Sequence, residues 1–569
     1  MKFYIPILFL LFLLAPQGNL ARAADPGALD FREWGLLAVQ DGGRRKPMDT
    51  LARETVVRLT GQREITAFGR AWQPSDFMLS MLLDTHDWAK EPVLLVGYRP
   101  LAVKLGLDPA RKQFSYMELA HATGLGPLVG EAHDVRDAGD KPDRLHQEAE
   151  NVASRMALFD QVEKGDVFLL VPAPHDVKQA WVLPPDFGKY YAADQFAPAT
   201  TALQSLAAAY MAGDAFQFSV HAHELRAALR TLAPAVYPSD ADLGREYFYN
   251  QLRPFDWAAL AYAVALVLLG VGAWFEVRSP WLNRLGIACA VTGLGFHLAG
   301  MGLRCWIGGR PPVTNMYESM IWVASGVLIF ALVFFLRYRT VTYLLAALPI
   351  SLSLLLLVGQ MPLLLPENID PLVPVLRNNY WLIIHVLTIT LSYAAFALAM
   401  GFGHILLWQY VRQPLAARAD HAMHFWLYRV LQLGVLLLAA GTILGGVWAN
   451  YSWGRFWGWD PKETWALITL LCYIVVLHGK LAGWWGDFGL AVGSVVCFLA
   501  VVMAWYGVNF VLGTGLHSYG FGVGGESYVI SAVGLDLLFV ATAVTRYLRR
   551  AAKADALAPT KELVSQPAA

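Results

Sequence analysis

The sequence predicts a mainly α-helical polytopic membrane protein of about nine transmembrane helices, preceded by an exported mixed α/β domain. Three observations carry that expectation. Of 569 residues, 56% are hydrophobic, yet basic and acidic residues number 44 each, which is too apolar for a wholly soluble chain and too charged for a wholly embedded one. Charge and apolarity are also segregated: residues 25–253 carry most of the acids, and residues 256–546 hold repeated apolar runs. Those runs fall near 257–275, 285–303, 316–336, 341–361, 380–408, 426–448, 465–480, 488–511 and 529–546. Most reach the roughly 20 residues a helix needs to cross about 30 Å of hydrocarbon. Balanced charge, with no basic stripe interleaved with aromatics, excludes nucleic acid as an expected partner.

Taken in order, residues 1–23 pair one lysine with an apolar stretch from Phe3 to Ala15 and a small-residue site at Ala21-Arg22-Ala23. That is the pattern of a secretory signal, cleaved or retained as an anchor, so the region that follows is expected to be exported. In the domain at 25–253, Asp49 or Thr50 is a candidate cap for a helix bearing Leu51, Val56, Val57 and Leu59. PVLLVGY and DVFLLVP are strand-like, and one helical stretch covers roughly 200–232. His221 and His223 stand two residues apart and do not share a helix face, a poor arrangement for a metal. Cys289, Cys305, Cys472 and Cys497 lie in or beside apolar runs with no CxxC, and read as small core residues.

Charge sets the expected direction of the spans. With the amino-terminal domain outside, the inner loops hold Arg278, Arg284, Arg337, Arg339, Arg412, Arg418 and Lys480, and the cytoplasmic tail at 547–569 follows Arg546. This is the positive-inside pattern. The outer loops then contain CWIGGRPPVTN, residues 362–379, WGRFWGWDPKETW at 453–465 and LGTGLHSYGFGVGGES.

WGRFWGWDPKETW packs four tryptophans into thirteen residues. An interfacial aromatic belt is one reading; a platform for a flat, partly charged ligand is another. Asp460, Pro461 and Glu463 have the spacing of a helix start with a capping box. Gly454 and Gly458 permit bends between the rings, and Arg455 or Lys462 is placed to pair with a carboxylate. His385 and His517 fall in outer regions before and after this segment, so a folded bundle could set two imidazoles on a haem iron, with Trp453, Trp457 and Trp459 over the macrocycle. His478 sits near the inner end of the seventh span. His297 and His404 lie within spans and are compatible either with a second haem or with hydrogen bonds across helices. Arg304 and Arg310 are candidates for haem propionates or ordinary interfacial anchors, and Thr314 or Asn315 for the cap of the third span.

These residues resemble the CcsA/ResC family of System II cytochrome c biogenesis proteins, haem-handling proteins related to CcmC and CcmF. Trp453-Gly454, Trp457 and Trp459-Asp460, followed by Pro461-Lys462-Glu463-Thr464, match the WWD motif of that class, with the loop at 450–465. The resemblance covers 256–546, includes GRPPVTNMYES, and extends to GRRKPMDTLARE in the exported region. It implies that His385 and His517 are outer haem ligands, that His478 is a membrane histidine, and that haem b is both bound ligand and substrate. It further implies a CcsB/ResB-like partner with which the chain forms a holocytochrome c synthase, an apocytochrome c carrying CxxCH, thioredoxin-like thiol reductants, and a bacterial inner membrane location with the amino-terminal domain periplasmic. A haem-binding electron-transfer or transporter subunit is the alternative from another class.

Overall fold

The computed structural model describes residues 29–556 apart from 177, 275–278, 373–375, 377, 413–420, 514, 516 and 518–523. The signal segment 1–23, Arg278, Arg418 and the end of the tail lie outside the described residues.

The amino-terminal region is mostly helical. Among the described residues its ladders are three short antiparallel pairs: Ala38–Asp41 with Arg44–Pro47, Ile65–Ala67 with Arg70–Trp72, and Leu94–Leu95 with Gln113–Phe114. DVFLLVP contributes only a single bridge, Val171 to Val182, because Pro172 and Pro174 lack the N–H a longer ladder needs. The helix Met48–Thr60 begins after Pro47 and has no side-chain cap, contrary to the expectation for Asp49 or Thr50. Both side chains are engaged elsewhere: Asn250 Nδ2 donates to Asp49 Oδ2 at 3.0 Å and to Thr50 Oγ1 at 2.8 Å. The stretch read as one helix at 200–232 is two, Ala193–Ala212 and Ala215–Leu232. Gly213 takes a left-handed φ of 68°, and Asp214 Oδ1 caps the second helix by accepting from Gln217 N at 3.0 Å.

Among the described residues nine helices are long and apolar enough to cross a membrane: Asp240–Ala273, Pro280–Gly308, Met316–Tyr338, Thr342–Gln360, Leu382–Arg412, Ala422–Trp453, Pro461–Leu481, Asp487–Leu512 and Glu526–Arg550. Each matches one of the apolar runs, and they are called the first to ninth spans below. The first begins inside the amino-terminal region and crosses a kink where Arg253 adopts φ 46° before Pro254. The two regions are therefore joined by helix rather than by a flexible linker. Each has its own apolar core, one around Trp34, Phe77 and Phe159, the other around Tyr262, Phe396 and Tyr473.

Charged contacts fix the domain to one end of the bundle. Arg63 Nη2 donates to Glu367 Oε2 at 2.9 Å, and Arg144 lies 3.5 Å from Glu526. Arg304 in the second span, 2% exposed, donates to Glu318 Oε1 of the third at 2.8 Å, to the Tyr249 hydroxyl at 3.1 Å and to Glu367 O at 2.8 Å. Glu318 Oε2 in turn accepts from Thr314 N at 2.9 Å, and Asn315 Oδ1 caps the third span by accepting from Glu318 N at 2.8 Å. Alternation of the spans puts the segment 453–461 at this same domain-bearing end.

Candidate functional site

The tryptophan segment is a tight connection between the sixth and seventh spans. The expected capping box forms at Asp460 and Glu463, with Pro461 in the first turn. Lys462 N donates to Asp460 Oδ1 at 3.0 Å, and Glu463 Oε2 accepts from Gly458 N at 2.8 Å and Asp460 N at 3.2 Å. Left-handed backbone occurs at Gly454 (φ 71°) and at Trp459 (φ 57°), not at Gly458. A tryptophan in that region costs about 1–3 kcal/mol and persists only where its surroundings enforce it. Gly458 serves another purpose: a Cβ there would sit 1.4 Å from Arg455 Nη1, so the guanidinium lies against bare backbone. Gly458→Ala is expected to drive Arg455 from its place, 3.6 Å from Glu463 Oε1, without unfolding the bundle. Asp460→Ala is expected to cost about 0.5–2 kcal/mol of local stability, measurable as faster amide exchange at Lys462 to Thr464.

Asp460 has a second bond. Its Oδ1 lies 2.9 Å from His517 Nδ1, and the His517 ring meets Trp453 edge-on, centroids 5.2 Å apart. His385 sits in a π-helical turn, Leu382–Val386, at the start of the fifth span, and its Nδ1 lies 2.8 Å from Gly441 O. The sixth span permits this approach through GTILGG: a Cβ on Gly445 would lie 2.6 Å from His385 Cε1, and one on Gly446 would lie 2.6 Å from Phe456 Cζ. Each histidine thus gives its Nδ1 to an oxygen acceptor, which in a neutral imidazole places the lone pair on Nε2. This is how proteins fix a histidine that must ligate a metal.

Both histidines line one cavity of about 170 Å³, together with Trp448, Trp453, Phe456, Trp457 and Trp505. Its polar lining includes Lys462, whose Nζ donates to Asn509 Oδ1 at 2.9 Å, and Glu463. Asn509 and Trp505 come from a second π-helical segment, Met503–Leu512. Trp459 is 69% exposed and reaches the cavity only through Trp457, which it meets edge-on with centroids 5.8 Å apart. Arg455 lies over Trp453 at 5.8 Å.

The remaining candidates lie elsewhere. His297 is buried with both ring nitrogens engaged, Nδ1 at 3.1 Å from the Tyr262 hydroxyl and Nε2 at 2.9 Å from Ile321 O. His404 also uses both, with Met400 O at 2.9 Å and Asp536 Oδ1 at 2.6 Å. Neither offers a lone pair in this arrangement. Arg304 is committed to the buried cluster described above, and Arg310 does not line the cavity, although its Nε lacks a hydrogen-bond partner among the described residues. His478 lies 15 residues beyond Glu463 in the seventh span, about 22 Å along the helix. It is exposed and, among the described residues, bonds only Ile474 O through Nδ1, at 2.9 Å. Sequence reasoning missed Trp448, Trp505, Asn509 and Gly445. Only the GG pair offered a signal, as a place of close helix approach.

Residues 313–517 match the family model described as Cytochrome C assembly protein. The chain is 32% identical over 296 residues to the cytochrome c biogenesis protein CcsA of Prochlorococcus marinus (strain NATL2A), covering 46% of this chain and 92% of that relative. The chain belongs to the CcsA family of cytochrome c biogenesis proteins. A second CcsA, from Guillardia theta, is 35% identical over 250 residues, 39% of this chain and 80% of its own length. Protein NrfI of Wolinella succinogenes is 30% identical over 499 residues, which takes in 84% of this CcsA-family chain. The chain spans 53% of the length of NrfI, and the similarity extends beyond the membrane region into the amino-terminal one.

Proposed function

We propose that the chain delivers haem b to apocytochrome c and holds it while the thioether bonds form, acting with a CcsB/ResB-like partner as a cytochrome c synthase. The single observation that carries this reading is the pair His385 and His517, each with Nδ1 tied back and each lining the same aromatic cavity. Two such imidazoles suit the axial positions of a haem iron. Trp453 and Trp457 supply ring faces for the porphyrin, and Lys462 and Arg455 supply positive charge for its propionates. At about 170 Å³ the cavity is smaller than a macrocycle, so the rings that line it part to admit haem between the two imidazoles. Exposed rings around its mouth, Trp459 beside Trp457 and Tyr380 beside Trp381, extend the apolar surface.

The chemistry asked of the protein is positioning. Each cysteine S–H of CxxCH adds across one vinyl group: sulfur bonds the carbon next to the ring, hydrogen goes to the terminal carbon, and no net oxidation occurs. The incoming histidine of CxxCH replaces one protein imidazole and brings both thiols beside the vinyls. Thioredoxin-like reductants would keep those thiols reduced. His478, exposed on the seventh span, suits a ligand shared with a histidine of the partner. In this reading residues 25–253 and the 450–465 loop face the periplasm, the 256–546 bundle crosses the bacterial inner membrane, and the tail is cytoplasmic.

The test is reconstitution with the partner, haem and an apocytochrome c. Haem absorbance that moves into covalent cytochrome c supports the proposal. Haems that cycle between oxidation states without ever leaving the protein would instead support an electron-transfer subunit. His478→Ala is expected to lower total bound haem while leaving the outer site able to accept added haem.

A further inference from the structure

A second and much larger space lies between the amino-terminal region and the bundle, and the function above does not use it. It is an open cleft of about 2130 Å³. Its upper wall is the helix Met48–Thr60 with the hairpin Ile65–Trp72. Its floor is the kink at Pro254–Trp257, the loop Pro362–Ile369 and Tyr317.

The back of the cleft is rigid. Arg44 reaches both oxygens of Glu246, at 2.6 and 2.8 Å, and Thr50 Oγ1 donates to Glu246 Oε1 at 2.8 Å. Arg44 and Thr50 belong to the GRRKPMDTLARE segment, and Glu246 lies outside it. Eight carboxylates and six guanidiniums line the cleft, and no lysine does. Five of the guanidiniums already face a carboxylate: Arg44 with Glu246, Arg53 with Asp49, Arg63 with Glu367, Arg70 with Asp76, and Arg253 with Asp256. Glu54 is held by Lys46, which leaves Asp30 and Glu64 against the single guanidinium of Arg58 as the lining charges without an ion pair among the described residues, a surplus of one acid, and Glu64 stands exposed at the rim. Such a lining leans towards a cation-bearing ligand and offers a lipid phosphate or a haem propionate only Arg58, since the other five arginines are already neutralised.

The cleft also neighbours the histidine cavity. Tyr317 lines the cleft, whereas Met316 and Ser319, in the same turn of the third span, line the cavity. A helix with its side chains is about 10–12 Å across, and extended chain advances about 3.3 Å per residue. About four residues of a chain lying in the cleft would cover that width.

We propose that this cleft binds an extended, net-basic segment of the polypeptide substrate adjacent to its CxxCH, and so presents the two thiols at the His385/His517 cavity. The proposal rests on the haem-attachment reading above. It adds a docking site on the amino-terminal region and a charge preference for the docked chain.

The test uses the full chain in lipid nanodiscs. A fluorescent peptide carries CxxCA in place of CxxCH, so that iron cannot hold it, flanked either by lysines or by glutamates. Saturable binding of the lysine-flanked peptide, at least about tenfold tighter than the glutamate-flanked one and weakened by a similar factor in the double variant Glu64→Arg with Thr66→Arg, supports the cleft. Equal binding of the two peptides, or an unchanged affinity in the double variant, overturns it. So does a photo-crosslinker placed at Thr66 that captures the membrane partner and not the peptide. Haem absorbance is recorded in parallel and is expected to be unchanged in the double variant. Peptide binding by a protein that never takes up haem would reject the haem reading and leave the docking site standing. Normal haem uptake with no peptide in the cleft would do the reverse.

Discussion

Alanine at both His385 and His517 is expected to remove haem from the cavity and to lower covalent cytochrome c formation by at least about 100-fold, beyond the 10–100-fold typical of losing a residue that only orients a ligand. Each single variant should keep haem on its remaining imidazole with a shifted absorption band. Added imidazole should restore part of the activity, because truncation leaves a space of the right size beside Gly441 and Gly445 for His385, and beside Asp460 for His517. Normal cytochrome c formation in the double variant without imidazole would sink the assignment. Asp460→Asn offers a finer reading: it can still cap the helix but exchanges a carboxylate for an amide at His517 Nδ1, so the haem potential should rise while the fold is kept.

The second large effect is structural. Arg304→Ala removes the ion-pair partner of the buried Glu318 and leaves its carboxylate accepting only from Thr314 among the described residues, a type of loss that costs about 3–5 kcal/mol. It also frees the loop around Glu367 and Asn368, which Arg304 holds through two backbone carbonyls at 2.8 and 3.3 Å. A lowered thermal midpoint in detergent, with an unchanged haem spectrum in the fraction that remains folded, is the expected outcome. Loss of haem absorbance from folded protein would instead return Arg304 to the role of a propionate partner. The paired substitution Arg304→Met with Glu318→Leu should recover most of the stability, since replacing both charges leaves neither uncompensated.

The spans and the helix start at Asp460 were legible because both are local. A run of apolar residues and a D-P-K-E step carry their own geometry wherever they fall. The engagement of Arg304 was not legible, since an arginine at a span end reads equally as an interfacial anchor until Tyr249, Glu318 and Glu367 are seen to converge on it. His297 and His404 looked like candidate ligands for the same reason: their partners, Tyr262 and Asp536, come from other helices. The motif marked the right loop but assigned its glycines too simply. Gly454 takes the left-handed turn expected of it, whereas Gly458 makes room for Arg455 and the second left-handed turn falls to Trp459. Asn509 and Trp505 carry no local signal at all, because they reach the cavity through a turn that departs from the helical period on which sequence reading depends.

That departure has a consequence for how the site tolerates change in length. A π turn contains one residue more than an α turn, so the orientation of His385 is set by a count. Excising a neighbour such as Ile383 would let Leu382–Val386 relax into regular α-helix and turn the imidazole away from Gly441, with every side chain of the site still in the protein. Restoring one residue anywhere in that turn, of almost any apolar kind, should bring the ligand back. The same holds for Met503–Leu512. At these two places the molecule is sensitive to insertion and deletion, and comparatively indifferent to substitution of the residues that do not line the cavity.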